Sequence, residues 1–160
     1  MLEQLKTDWR ATIEGRGGHC PCCGKWGRIN PATMNETRAM ALLWLSRAHC
    51  DANGWVDVPK AAPRWLMRGK THTTLQHWAL VESGASNDTA KSGSGLWRVT
   101  AKGLHFLCGT INVPRKAFIY NNMVEGWSEE TTSFRDCFGR KFDYTEVMQD
   151  NFNLNVLKIK

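Results

Sequence analysis

The chain has 160 residues, 42% of them apolar and 22% charged, which excludes a disordered, collagen-like or low-complexity chain; at this length roughly 70% of the unfolded surface can be buried without help from disulfides. Its net charge of +6 is uneven, with sixteen Lys and Arg against eight Asp and Glu in residues 1–120 and five against seven in residues 121–160, so the first part is the one expected to meet an anion such as nucleic acid. The longest apolar run, residues 39–45, is far short of the ~20 residues of a membrane span, and Glu3 and Asp8 at the start argue against a signal peptide; the expectation is a soluble cytoplasmic protein with no membrane partner.

In residues 1–14 Leu2, Leu5, Trp9 and Ile13 recur at steps of three or four, which predicts a short amphipathic helix stopped by Gly15, Gly17 and Gly18. After the cysteine-rich turn, residues 35–48 make the strongest helix, capped by Asn35 and patterned by Met40, Leu43, Trp44 and Arg47. Residues 51–54 form a polar turn. The alternation in residues 55–58 predicts a small strand, and Pro63 is placed as the first residue of a short helix running to Met67. A third helix spans residues 71–78 with Leu75 and Trp78 inward, and residues 79–82 extend as a strand. The Ser-, Gly-, Asn- and Asp-rich residues 83–95 are a loop, residues 96–99 a strand, and Thr100 caps a helix over residues 101–107. Beyond Gly109, residues 117–120 and 123–127 are joined by Asn121 and Asn122 into a hairpin, and residues 133–138 and 143–149 read as short helices.

The order of elements over residues 35–108 resembles that of a winged helix-turn-helix. The segment "LWRVTAKGLHFL" at residues 96–107 resembles the second wing strand and following helix of MarR-type winged-helix proteins, where a Thr-x-x-Gly step joins the two, and "THTTLQHWALVES" at residues 71–83 resembles a recognition helix entering the first wing strand. With "CPCCGKWGRI" and "GTINVPRKAFIYNN", the whole chain is also similar to small uncharacterised bacteriophage proteins, which implies a phage protein acting in a bacterial cytoplasm and no particular activity. The expected class is α+β: residues 1–34 an N-terminal helix and zinc-knuckle-like turn, residues 35–109 a winged-helix domain, and residues 110–160 a C-terminal hairpin and helical extension on the same core.

A helix that enters the major groove presents polar side chains to base edges, and Lys70, His72, Thr73, Gln76 and His77 supply donors and acceptors there. Arg64 and Arg68 on the preceding helix, and Lys91 and Arg98 on the ribbon, would flank the groove and take phosphates. The plainer reading of the same residues is the solvated face of a buried helix.

Six Cys in a chain without an export signal point to thiols or metal ligands rather than disulfides. The C-x-x-C step from Cys20 to Cys23, with Pro21 starting the turn and Gly24 closing it, has the shape of a zinc knuckle. That turn gives two of the four ligands a structural Zn2+ requires. His19 and Cys22 are local reserves, His105 and Cys108 lie one helical turn apart and could complete the set, the adjacent His49 and Cys50 form a poorer pair, and two chains of a homodimer could share one ion. No phosphate-binding glycine loop, G-x-S-x-G elbow, H-E-x-x-H or deaminase signature is present, and the C-x-x-C lacks a thioredoxin-like βαβ context, so no enzymatic activity is expected. The leading expectation is a zinc-stabilised regulator that binds double-stranded DNA; the alternative is an interaction module that engages a host or phage protein.

Overall fold

The computed structural model describes residues 1–85 and 93–141; Lys91, most of the expected loop at 83–95 and the expected helix at 143–149 lie outside the described residues. The chain is mixed α+β and its described residues divide into two compact units, one made of residues 1–33 and 114–130, the other of residues within 34–113 and 131–141.

In the first unit, helix α1 (Leu2–Glu14) follows the predicted apolar spacing, yet of its stripe only Ile13 is buried, and Leu2 and Leu5 stay exposed. Strands β1 (Gly18–His19) and β2 (Trp26–Gly27) pair antiparallel and carry the cysteine turn at their tip. Strand β3 (Asn30–Thr33) pairs with β7 (Lys116–Tyr120), and β7 pairs with β8 (Met123–Trp127), giving the antiparallel order β3–β7–β8. Asn121 and Asn122 both have positive φ (52° and 62°), the conformation a two-residue turn needs to match the twist of its strands. Arg10 on α1 reaches Glu125 on β8 at 2.9 Å. The hairpin at 116–127 completes a sheet with residues 30–33, because the edge of β7 pairs with β3 from Asn30 opposite Ile119 to Thr33 opposite Lys116.

The second unit is built around α2 (Glu36–Arg47). The Asn35 side chain accepts the Arg38 amide, which satisfies one of the amides left free at a helix start. Every residue from 39 to 45 is buried, so the helix runs through the core rather than along it. Asp51 folds the next turn by accepting the amides of Asn53 and Trp55. Strand β4 (Val56–Asp57) is shorter than predicted, because Asp57 caps Lys60 and starts the single turn α3 (Val58–Ala61). Pro63 stands just before α4 (Arg64–Gly69) rather than as its first residue. Helix α5 (Thr71–Thr74) tightens into a 3-10 turn over Leu75–Trp78, ended by Ala79 in the left-handed region.

Strands β5 (Val81–Ser83) and β6 (Leu96–Val99) then lead into α6 (Ala101–Leu107), whose N-cap is Thr100 as predicted. Strand β6 is central: Val56 lies opposite Trp97, and Glu82 opposite Arg98, giving the order β4–β6–β5. The expected helix at 133–138 is a 3-10 segment, Arg135–Lys141, interrupted at Gly139. Leu42, Leu43, Leu66, Leu75, Trp78 and Phe106 form the fully buried centre of this unit, and Phe134 meets Phe106 edge to face at 5.9 Å.

Candidate functional site

Two helices meeting at one residue make the main candidate surface. Lys70, between α4 and α5, takes φ 48° and ψ 31°, a left-handed conformation that turns the chain sharply. Its amide donates to the Leu66 carbonyl and its own carbonyl accepts from Thr73, both from the amide and from the hydroxyl at 2.8 Å. Leu66, Leu75 and Trp78 anchor the pair in the core. Facing outward are Arg64, Arg68, Lys70 and Gln76, all exposed, with Thr73 and His77 half-buried.

His72 is a correction to the sequence reading. It is 4% exposed, its ring edge meets Trp97 at 5.2 Å, and its Nδ1 is enclosed without a hydrogen-bond partner among the described residues. Burial, and then the charge of Lys70, pushes its pKa below the ordinary imidazole value, so it is a neutral core side chain rather than one turned to a base edge. His77 is shifted the same way, by burial and by the charge of Arg38. Arg38 itself was missed by sequence reasoning: from α2 its Nε donates to the Thr74 hydroxyl at 2.9 Å, tying the core helix to α5.

Arg98, expected to take a phosphate, is already engaged. Its Nε donates to Glu82 across the strand pair, a terminal nitrogen donates to the Asn53 carbonyl at 3.2 Å, and the guanidinium lies 4.2 Å from the centre of the Trp55 ring. Gly103 follows at a point where a side chain has no room, since a Cβ there would stand 2.2 Å from the Leu80 carbonyl oxygen.

The cysteine turn belongs to the first unit. The Cys20 amide donates to the Lys25 carbonyl and the Gly24 amide to the Cys20 carbonyl, both at 2.8 Å, with Gly24 at φ +72°. The backbone amides of Cys23 and Cys22 donate to the Cys20 sulfur and hold its thiol below the ordinary value. Cys20 is half-buried; Cys22 and Cys23 are exposed. His19 braces the turn, its Nδ1 2.9 Å from the Gly24 carbonyl and its ring edge on Trp26 at 5.3 Å. Beside the sulfurs lies an open pocket of about 530 Å3 lined by Cys20, Cys23, Lys25, Trp26, Arg28 and Tyr120. The Lys25-Trp26 pair, flanked by Arg28, was the available sequence signal for this pocket and was passed over.

His105 and Cys108 lie on and just after α6 in the other unit, with His105 Nδ1 3.2 Å from the Thr110 hydroxyl. Among the described residues, no three His, Cys, Asp or Glu side chains are grouped to hold a metal ion, and no helix is long and apolar enough to cross a membrane. Comparison with protein-family models, with curated proteins and with solved structures finds no match to this chain.

Proposed function

We propose that the second unit is a winged helix-turn-helix that binds double-stranded DNA through α5 and its 3-10 extension. One observation carries this reading: Arg64, Arg68, Lys70 and Gln76 are exposed on two consecutive helices whose opposite faces are fixed by Leu66, Leu75 and Trp78. The order β4–β6–β5 supports it, since a ribbon of this connectivity following the helix pair is the arrangement that the resemblance implied. Three cations then neutralise phosphates, and the Gln76 amide pairs with an adenine edge, a contact whose donor and acceptor match in both positions. The regulatory role, phage-encoded and exercised in a bacterial cytoplasm, follows from the resemblance and from this binding.

The test is binding of the full chain to random and genomic duplex DNA over a range of salt concentrations. Phosphate neutralisation gives a log–log slope near −0.9 for each contact, so about three contacts give a slope of roughly −2.7. Absence of binding at low salt overturns the reading. A protein-binding use of the same scaffold is favoured by the engagement of Arg98 with Glu82, Asn53 and Trp55, which commits a wing-strand cation to the fold.

A further inference from the structure

We propose that the cysteine turn is half of a zinc site and that a second copy of this chain supplies the other half, with Cys20 and Cys23 of two chains closing one tetrahedral centre. The inference concerns the first unit only and stands apart from the DNA reading.

The turn is built as a metal knuckle. A C-x-x-C step at the tip of the β1–β2 hairpin is closed by a left-handed Gly24, whose amide donates to the Cys20 carbonyl, and Cys20 and Cys23 line the same pocket. His19 braces the turn, with its Nδ1 on the Gly24 carbonyl and its ring edge on Trp26.

Zinc in a structural site takes four ligands, and one turn offers two. Since no third ligand is grouped with them among the described residues, the pair is an incomplete site that an identical pair completes. Exposure allows the meeting, because Cys22 and Cys23 are open at the tip and the neighbouring Trp26 side chain, 61% exposed, offers an apolar surface for the partner to cover. Charge favours it as well. Four thiols binding one Zn2+ release four protons and leave a centre of net charge −2, and each chain brings Lys25 and Arg28 to the same pocket as its sulfurs.

The experiment uses the full chain, kept reduced by a non-chelating phosphine, titrated with cobalt(II) or zinc and followed by visible absorption and sedimentation. Expected are saturation at one ion per two chains, the intense absorption of tetrahedral thiolate cobalt, a doubling of mass on metal addition and its reversal by chelator. Cys23→Ser, which alters an exposed thiol, loses both metal and dimer while keeping its circular dichroism; Cys22→Ser keeps all three. Saturation at one ion per chain in a monomer, no binding, a dimer that survives chelation, or a Cys22→Ser variant as impaired as Cys23→Ser would each overturn the proposal.

Discussion

The hydroxyl of Thr100 donates to the Ala79 carbonyl at 2.6 Å, so the residue that caps α6 also fastens the end of the turn that follows α5. The same oxygen accepts the Gly103 amide at 3.1 Å, and the Thr100 amide donates to the Leu80 carbonyl. The Thr-x-x-Gly step thereby holds the exit of the helix pair against the start of the next helix.

Thr100→Ala is expected to cost about 1 kcal/mol through the lost cap, and Thr100→Ser to recover most of it. Gly103→Ala is expected to be worse, at about 2 to 3 kcal/mol, because its methyl group meets the Leu80 carbonyl in a space without slack. Urea unfolding of the three variants measures the order.

Lys70→Gly separates stability from binding. A residue with a Cβ in the left-handed region carries roughly 1 kcal/mol of strain that glycine lacks, partly offset by the greater freedom of glycine in the unfolded chain. The variant is expected to be as stable as the parent or slightly more so, while its affinity for duplex DNA falls and its salt slope shrinks by about one unit. Equal DNA binding by the two proteins would remove Lys70 from the interface.

Gln76→Ala is expected to weaken a preferred site by about 1 to 3 kcal/mol and leave nonspecific binding nearly unchanged, whereas Arg64→Ala and Arg68→Ala weaken every duplex alike. Arg98→Ala behaves differently from either, because its partners are Glu82, Asn53 and Trp55. Its main effect is expected in thermal unfolding, with the slope of log affinity against log salt preserved. A shrunken slope in that variant would return Arg98 to the phosphate contacts.

Acidification is expected to destabilise the fold. The pKa of His72 and of His77 is depressed in the folded chain, so between those values and the ordinary imidazole value near ~6.5 the unfolded chain binds more protons. Stability is therefore full above that pH and declines as pH falls through it. Denaturant midpoints measured from neutral to mildly acidic pH should fall, and His72→Phe should flatten the decline while leaving the part due to His77. An unchanged profile in His72→Phe would locate the dependence elsewhere.

What the sequence disclosed was mostly local. Asn35 and Thr100 were readable as caps because a short polar side chain before an apolar run has one favoured use, and Asn121 and Asn122 were readable because few residues tolerate positive φ twice in succession. His72 was misread through its period. A 3.6-residue helix separates it from the core face, but the chain tightens to a 3-10 turn at Leu75, where the period is three, and His72, Leu75 and Trp78 come onto one buried side. The engagement of Arg98 depends on cross-strand register, since Glu82 is opposite it only once β5 and β6 are paired. Strand β3 was not foreseen at all: "NPAT" has no alternation and contains a proline, and its partner lies far along the chain.

That distant pairing fixes an order of events during synthesis. Strand β3 emerges from the ribosome well before β7 and β8, so the first unit stays unfinished until residue 127 has been made, while residues 34–113 are already available to fold. Closing the sheet across an unstructured stretch of that length carries the entropy of a long loop; closing it after the intervening helices have formed leaves a much shorter effective loop. Residues 34–113 are in this sense an insertion between the two halves of the first unit, and the second unit in turn waits for the segment whose Phe134 packs on Phe106. A nascent chain stalled before Lys116 holds an unpaired β3 beside an exposed cysteine turn, which makes early truncation products the form of this protein most open to mispairing.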